Sequence, residues 1–251
     1  MQSYPDPFVH HPALRGLIAD PDKSFFRNFK PSDLDARMKS LGRPDGWRHS
    51  DDEVEAARLA FLADRLDSDL WIFAYGSLMW DPAFKFAEVR RARAPVHARK
   101  FILKDTFGAR GSPQAPGLMA ALDDGAGCDG LAFRIAKDQV KHESGVFWRR
   151  ELLGHAYRPV FAGIMTPFGD IDALTVVANL GAEVIRQNIT REEQILYVAT
   201  GRGFMGTSLE YLENIASHFE ALGIEDSEVS DLLADAKSFI AAAEPMADRP
   251  A

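Results

Sequence analysis

The stretch Trp71-Ile72-Phe73-Ala74-Tyr75-Gly76-Ser77-Leu78-Met79-Trp80 decides how this chain is read. Its first half is apolar, aromatic and β-branched, the composition of a buried strand. Gly76 and Ser77 then end the run. Glycine permits backbone angles closed to other residues, and a serine hydroxyl can hydrogen-bond its own loop. A rigid strand that stops in a short Gly-Ser turn presents free backbone N–H groups, which suit an anion or a developing oxyanion.

Working outward, Ser50-Asp51-Asp52-Glu53 has the pattern of a capping box and opens a helix expected over residues 54–66. Ahead of it, residues 1–50 carry Pro5, Pro7, Pro12, Pro21, Pro31 and Pro44 and few periodic apolar positions. They read as an irregular arm lying on the main domain through Phe8, Leu14, Phe25 and Phe26. After the central strand, residues 96–104, 117–122 and 128–135 have strand composition, with Asp123-Asp124-Gly125 as a hairpin turn between the last two. Residues 137–151 read as a short helix. Residues 157–165 and 171–178 read as a strand pair around Thr166-Pro167-Phe168-Gly169-Asp170. Thr190-Arg191-Glu192-Glu193 and Thr207-Ser208-Leu209-Glu210 are two more capping boxes, and Gly223 ends the helix that follows the second. A last helix begins at Asp226 or Ser227. The fold class is therefore α+β: a small mixed β-barrel or sheet with flanking helices and a helical C-terminal part. The expected organisation is the arm over 1–50, one domain over 51–242 and a frayed tail over 243–251.

Composition narrows the function classes. The chain has 251 residues, 46% of them hydrophobic, enough for one substantial core. Its formal net charge is −8 and no basic block stands out, which disfavours non-specific nucleic-acid binding. Cys128 is the only cysteine, so no disulfide framework forms within one chain, as in a reducing compartment. Residues 1–11 have no apolar targeting core and no segment approaches membrane-spanning length, so the expectation is a cytoplasmic protein without a membrane partner. Among the seven histidines only His10 and His11 are adjacent in sequence, and they read as surface residues; no metal is expected. The oligomeric state is not legible.

The string Phe73-Ala74-Tyr75-Gly76-Ser77-Leu78-Met79-Trp80 resembles the signature of the ChaC-like γ-glutamylcyclotransferases, the glutathione-specific type. Three further stretches resemble that family in the same order: Arg110-Gly111-Ser112-Pro113 with Pro116-Gly117, then Arg150-Glu151, then Gly201-Arg202-Gly203 with Thr207-Ser208 and Tyr211-Leu212. The resemblance runs from about residue 70 to residue 224. It implies a cofactor-free enzyme in which the α-amine of a γ-glutamyl compound attacks its own γ-carbonyl, giving 5-oxoproline and a released amine, Cys-Gly when the substrate is glutathione. By the resemblance Glu151 is the catalytic acid/base, and the loop Tyr75, Gly76, Ser77 and Leu78 lines the γ-glutamyl pocket.

Read on its own residues, Glu151 is a glutamate at a helix end. Burial beside Phe147 and Trp148 would raise its pKa, whereas Arg149 and Arg150 would lower it. Tyr75 either points its hydroxyl into the pocket or packs in the core. Arg110 either meets a substrate carboxylate or sits in solvent, and Tyr157 is either a pocket wall or core. Ser77 lacks the surroundings of a nucleophile, since position 79 is methionine and Gly-x-Ser-x-Gly is absent.

Gly201-Arg202-Gly203-Phe204-Met205-Gly206 supplies a competing reading, because it satisfies G-x-G-x-x-G ahead of a helix. A dinucleotide site requires a strand directly before that loop. The capping box at Thr190 makes residues 195–198 helical instead. A non-catalytic γ-glutamyl binder is the other alternative, and the presence of Glu151 speaks against it.

Overall fold

The computed structural model describes residues 6–43 and 45–243. Pro5, Pro44 and residues 244–251 of the expected tail lie outside the described residues. The elements are α1 (Phe25–Asn28), α2 (Pro31–Ser40), α3 (Asp51–Phe61), β1 (Leu70–Ala74), β2 (Glu88–Ala94), β3 (His97–Asp105), β4 (Gly117–Asp124), β5 (Cys128–Ile135), α4 (Val140–Glu151), β6 (Tyr157–Ile164), β7 (Ile171–Ala178), α5 (Arg191–Thr200), β8 (Arg202–Gly203), β9 (Gly206–Thr207), α6 (Ser208–Leu222) and α7 (Ser227–Ala243). Among the described residues, no helix is long and apolar enough to cross a membrane.

The main sheet has five strands in the order β2-β5-β1-β7-β6. β1 lies at its centre, antiparallel to β5 and parallel to β7. A central strand covered on both faces needs a continuous apolar run, which is what residues 70–74 supply: Leu70, Ile72, Phe73 and Ala74 are all buried. The expected barrel is not closed. The sheet curls until its edges meet at one bridge, where Arg93 and Met165 exchange N–H···O=C bonds of 2.9 Å in both directions.

β4 pairs with β3 in a separate two-stranded sheet, not with β5. The hairpin expected at Asp123-Asp124-Gly125 is therefore a crossing from one sheet to the other. Asp123 is held back on β3 by Lys100 at 2.6 Å, and Gly127, at φ 114°, redirects the chain. β2 escaped the sequence reading because Arg90, Arg91 and Arg93 interrupt it, although Val89, Ala92 and Ala94 are buried. Along the outer edge of β2 the Val89 N–H donates to the Pro7 carbonyl (3.0 Å) and the Arg91 N–H to His11 Nε2 (2.8 Å). The histidine expected at the surface is thus a strand cap.

All three expected capping boxes form, with both reciprocal bonds at Ser50/Glu53, Thr190/Glu193 and Thr207/Glu210. Asp226 caps α7 by accepting from the Val229 N–H at 3.1 Å, and Gly223, at φ 61°, ends α6. The arm is more regular than expected, since α2 is a ten-residue helix that starts at Pro31 and buries Met38. Its apolar positions are too sparse to show a period. The arm docks through Leu14, fully buried, and through Phe8 and Phe26, whereas Phe25 stays half exposed.

α4 positions the site. Val140, Val146, Phe147 and Trp148 are buried, Phe147 against Phe84 and Trp148 against Phe61. Burying a side chain of this size is worth about 1.5–3 kcal/mol. The last residues of α4 are thus carried on a fixed element.

Candidate active site

β1 delivers Tyr75 to the end of the main sheet, and Ser77–Met79 then form a single 3-10 turn. The Met79 N–H is the first to pair, with the Gly76 carbonyl at 2.8 Å. The amides of Gly76, Ser77 and Leu78 ahead of it have no acceptor within the turn, as the opening of any helical turn requires. The Tyr75 carbonyl is anchored by Arg99 Nε at 2.7 Å, and the same buried guanidinium holds Asp226 (2.6 Å) and the Asp129 carbonyl (2.5 Å). Gly76 has φ −141°, so a left-handed conformation is not what demands glycine there. Space demands it: a Cβ at this position would lie 2.7 Å from the Tyr211 hydroxyl oxygen.

α4 ends beside this turn. The Arg150 side chain is 3% exposed and uses all three nitrogens. Nε lies 2.9 Å from Glu151 Oε1, Nη2 donates to Ser77 Oγ at 2.9 Å, and Nη1 donates to the Asp81 carbonyl. Its flat face lies 4.3 Å from the centre of the Phe26 ring. One guanidinium therefore ties the carboxylate of α4 to the turn after β1, two pieces of chain remote in sequence.

Both pieces line one cavity of about 170 Å³. Tyr75, Gly76, Ser77, Leu78, Glu151 and Tyr157 all contribute to its wall. Of the residues expected at the site, Arg110 does not. It is buried next to it, with Nη1 3.4 Å from the Thr207 carbonyl and 3.8 Å from Glu210, bracing the loop before α6. Tyr75 and Tyr157 settle neither wholly as core nor wholly as pocket, since each is largely packed yet meets the cavity. The Tyr157 hydroxyl donates to the Ala120 carbonyl at 3.2 Å.

Burial raises the Glu151 carboxyl pKa above its ordinary value, and the neighbouring Arg150 opposes this without cancelling it. Burial likewise pushes the Tyr75 and Tyr157 hydroxyls well up, with the Glu151 charge adding to it, and moves Tyr211 up to about 12. These three hydroxyls stay protonated at neutral pH. The cavity therefore pairs one carboxylate with a reserve of fixed O–H and N–H donors.

Sequence reasoning missed Arg150 as a clamp, Tyr211 and Phe26. Tyr211 falls inside the apolar stripe of α6 and periodicity cannot separate it from core. Phe26 is expected to dock the arm on the main domain, but no local pattern places it at the cavity. The glycine-rich loop after α5 follows a helix, and β8 and β9 form a two-residue ladder around it, so no strand precedes it and no dinucleotide site is built there.

A family model described as ChaC-like protein matches residues 70–238. Among curated proteins, the chain is 31% identical over 192 residues to the glutathione-specific gamma-glutamylcyclotransferase of Escherichia coli (strain K12), covering 75% of this chain and 83% of that one. It is 31% identical over 159 residues to glutathione-specific gamma-glutamylcyclotransferase 1 of Homo sapiens, covering 61% and 71%. Among solved structures it resembles the selenomethionine-labelled γ-glutamylcyclotransferase specific to glutathione from yeast, with a TM-score of 0.63, 16% identity and coverage of 71% of this chain and 100% of that one. At that identity the likeness is one of fold.

Proposed function

Because the chain belongs to the ChaC-like protein family, we propose that its cavity converts glutathione into 5-oxoproline and Cys-Gly. The carrying observation is that Glu151 and the turn after Tyr75 share one cavity, joined by the Arg150 guanidinium. In this reading Glu151 accepts a proton from the α-ammonium of the γ-glutamyl group. The freed amine attacks the γ-carbonyl and sheds a second proton as a C–N bond closes the five-membered lactam, and the bond to the leaving nitrogen breaks. Glu151 carries one proton to that nitrogen and the other ends on the released amine, which departs as an ammonium, so no water is consumed and a single carboxylate serves as base and then acid.

The raised pKa of Glu151 suits this double duty, because a base that must also release its proton works best near the operating pH. The amides of Gly76, Ser77 and Leu78 are assigned to the substrate carboxylate or the oxyanion of the tetrahedral intermediate. Orientation supplies much of the rate, since a well-placed intramolecular attack corresponds to effective molarities of about 10⁵ M or more. Arg110 is assigned to shaping the wall from behind. A chain whose single cysteine, Cys128, is free and buried fits a reducing, cytoplasmic compartment.

The test is release of 5-oxoproline from glutathione by the purified chain. Glu151→Gln is expected to keep the fold by circular dichroism and to lower kcat by roughly 10³-fold or more, the scale of a lost acid/base. Near-normal turnover in that variant would refute the role.

A further inference from the structure

A second, larger cavity of about 390 Å³ adjoins the first and shares Phe26, Met119, Glu151 and Tyr157 with it. Its far side is built by the arm, through Leu34, Met38, Arg43 and Trp47. Those residues precede Leu70, where the match to the family model begins. The wall is mostly apolar and carries two cations beside Glu151, Glu183 and Asp105, the last turned to the backbone N–H groups of Phe107, Arg110 and Gly111. The Arg43 guanidinium lies 5.0 Å from the Phe107 ring centre and 5.9 Å from that of Trp47. Lys104 Nζ donates to the Tyr197 hydroxyl at 2.9 Å. Among the described residues neither cation has a carboxylate partner, although Glu183 shares the same rim. Arg43 and Lys104 contribute together to the lining of a further hollow at that rim.

A guanidinium within cation–π reach of two aromatic rings is oriented and partly stripped of water, and among the described residues this one has no carboxylate partner. The carboxylate of Glu151 sits where the two cavities meet. A substrate whose scissile bond lies at Glu151 and whose γ-glutamyl half fills the smaller cavity must extend its leaving half into the larger one.

We propose that the arm-walled cavity is the leaving-amine subsite, and that Arg43, with Lys104, recognises the terminal carboxylate of a short peptide leaving group. This deepens the reading of the preceding subsection and rests on it. It makes the arm a determinant of which γ-glutamyl amine is cleaved, with the chemistry left to Glu151. The apolar wall accommodates a small thiol or aliphatic side chain between the scissile bond and the carboxylate.

The full-length chain is assayed for 5-oxoproline with glutathione and with its glycyl monoethyl ester, in which a neutral ester replaces the terminal carboxylate. Wild type is expected to favour glutathione by about tenfold in kcat/KM, the worth of one charge-assisted contact at a half-buried site. Arg43→Gln is expected to lose about tenfold on glutathione, mainly through KM, and less than about twofold on the ester. Lys104→Met, on another element, is expected to show a selective loss in the same direction, so the outcome does not hang on one variant. Equal use of acid and ester by wild type overturns the subsite and leaves the cyclisation standing. So does an equal loss on both substrates in both variants. Absence of 5-oxoproline from either compound with wild type overturns the cyclisation and the subsite with it.

Discussion

Glu151 carries its charge where charge is costly. A carboxyl whose pKa is raised by burial is deprotonated, and able to act as a base, only above that raised value. The acid limb of kcat/KM against pH is therefore expected above 4.5, the ordinary glutamate value. A limb at or below it would contradict the environment described. Gly76→Ala tests the turn. Its new Cβ would meet the Tyr211 hydroxyl at 2.7 Å, and displacement on that scale is expected to lower kcat/KM by roughly ten- to a hundredfold. Adding Tyr211→Phe removes the obstructing oxygen and should restore part of the loss; no recovery in the double variant would point to the backbone instead. Glu151 and the turn were legible because they stand in short ordered strings. Tyr211 stands in such a string too but drew no role there, and Arg99 was not legible, since a lone arginine reads the same whether it faces a cavity or not.

At the scale of elements, Arg99 on β3 fastens the end of β1 to β5 and to the cap of α7. Arg99→Met would take the guanidinium donor from the Tyr75 and Asp129 carbonyls and from Asp226 Oδ2, leaving Asp226 the Val229 N–H alone. Breaking such a buried set is expected to cost about 3–5 kcal/mol in chemical denaturation. A loss below about 1 kcal/mol would show the clamp to be dispensable. β1 and β3 to β7 declared themselves in the sequence through their apolar and β-branched composition. So did helices whose starts carry a complete capping box. β2 did not, because arginines sit at outward positions of an edge strand. The wrong partner for β4 followed from treating a turn composition as a hairpin, when only tertiary contacts decide which sheet the next strand joins.

On the scale of the whole molecule, the arm is latched by Arg27. Its guanidinium meets Glu143 at 2.7 and 2.9 Å, and the Lys85 N–H adds a third bond to the same buried carboxylate. Burial works to raise the Glu143 pKa, but Arg27 and these hydrogen bonds outweigh it and hold it below the usual 4.5. A depressed folded pKa means stabilisation present above the unfolded value and lost as pH falls through the folded one. Pepsin cleavage within the arm, normalised at each pH to cleavage of an unstructured reference peptide, is expected to accelerate as pH drops below 4.5 in wild type, and to be fast with no such pH dependence in Arg27→Met. Identical, slow cleavage of both would show that the latch does not hold the arm. None of this was legible from sequence, because the two ends of the latch are separated by more than a hundred residues and neither stands in a motif.

The donors along the outer edge of β2 have a further consequence. Two of them are met by the arm, through Pro7 and His11, and a third by Met165 across the one bridge between the sheet's ends. An open strand edge is a template on which a foreign strand can add, and chain after chain can follow. The arm that walls the larger cavity therefore also covers donors on which a foreign strand could add, and cutting it back to Ile18 is expected to raise self-association in light scattering.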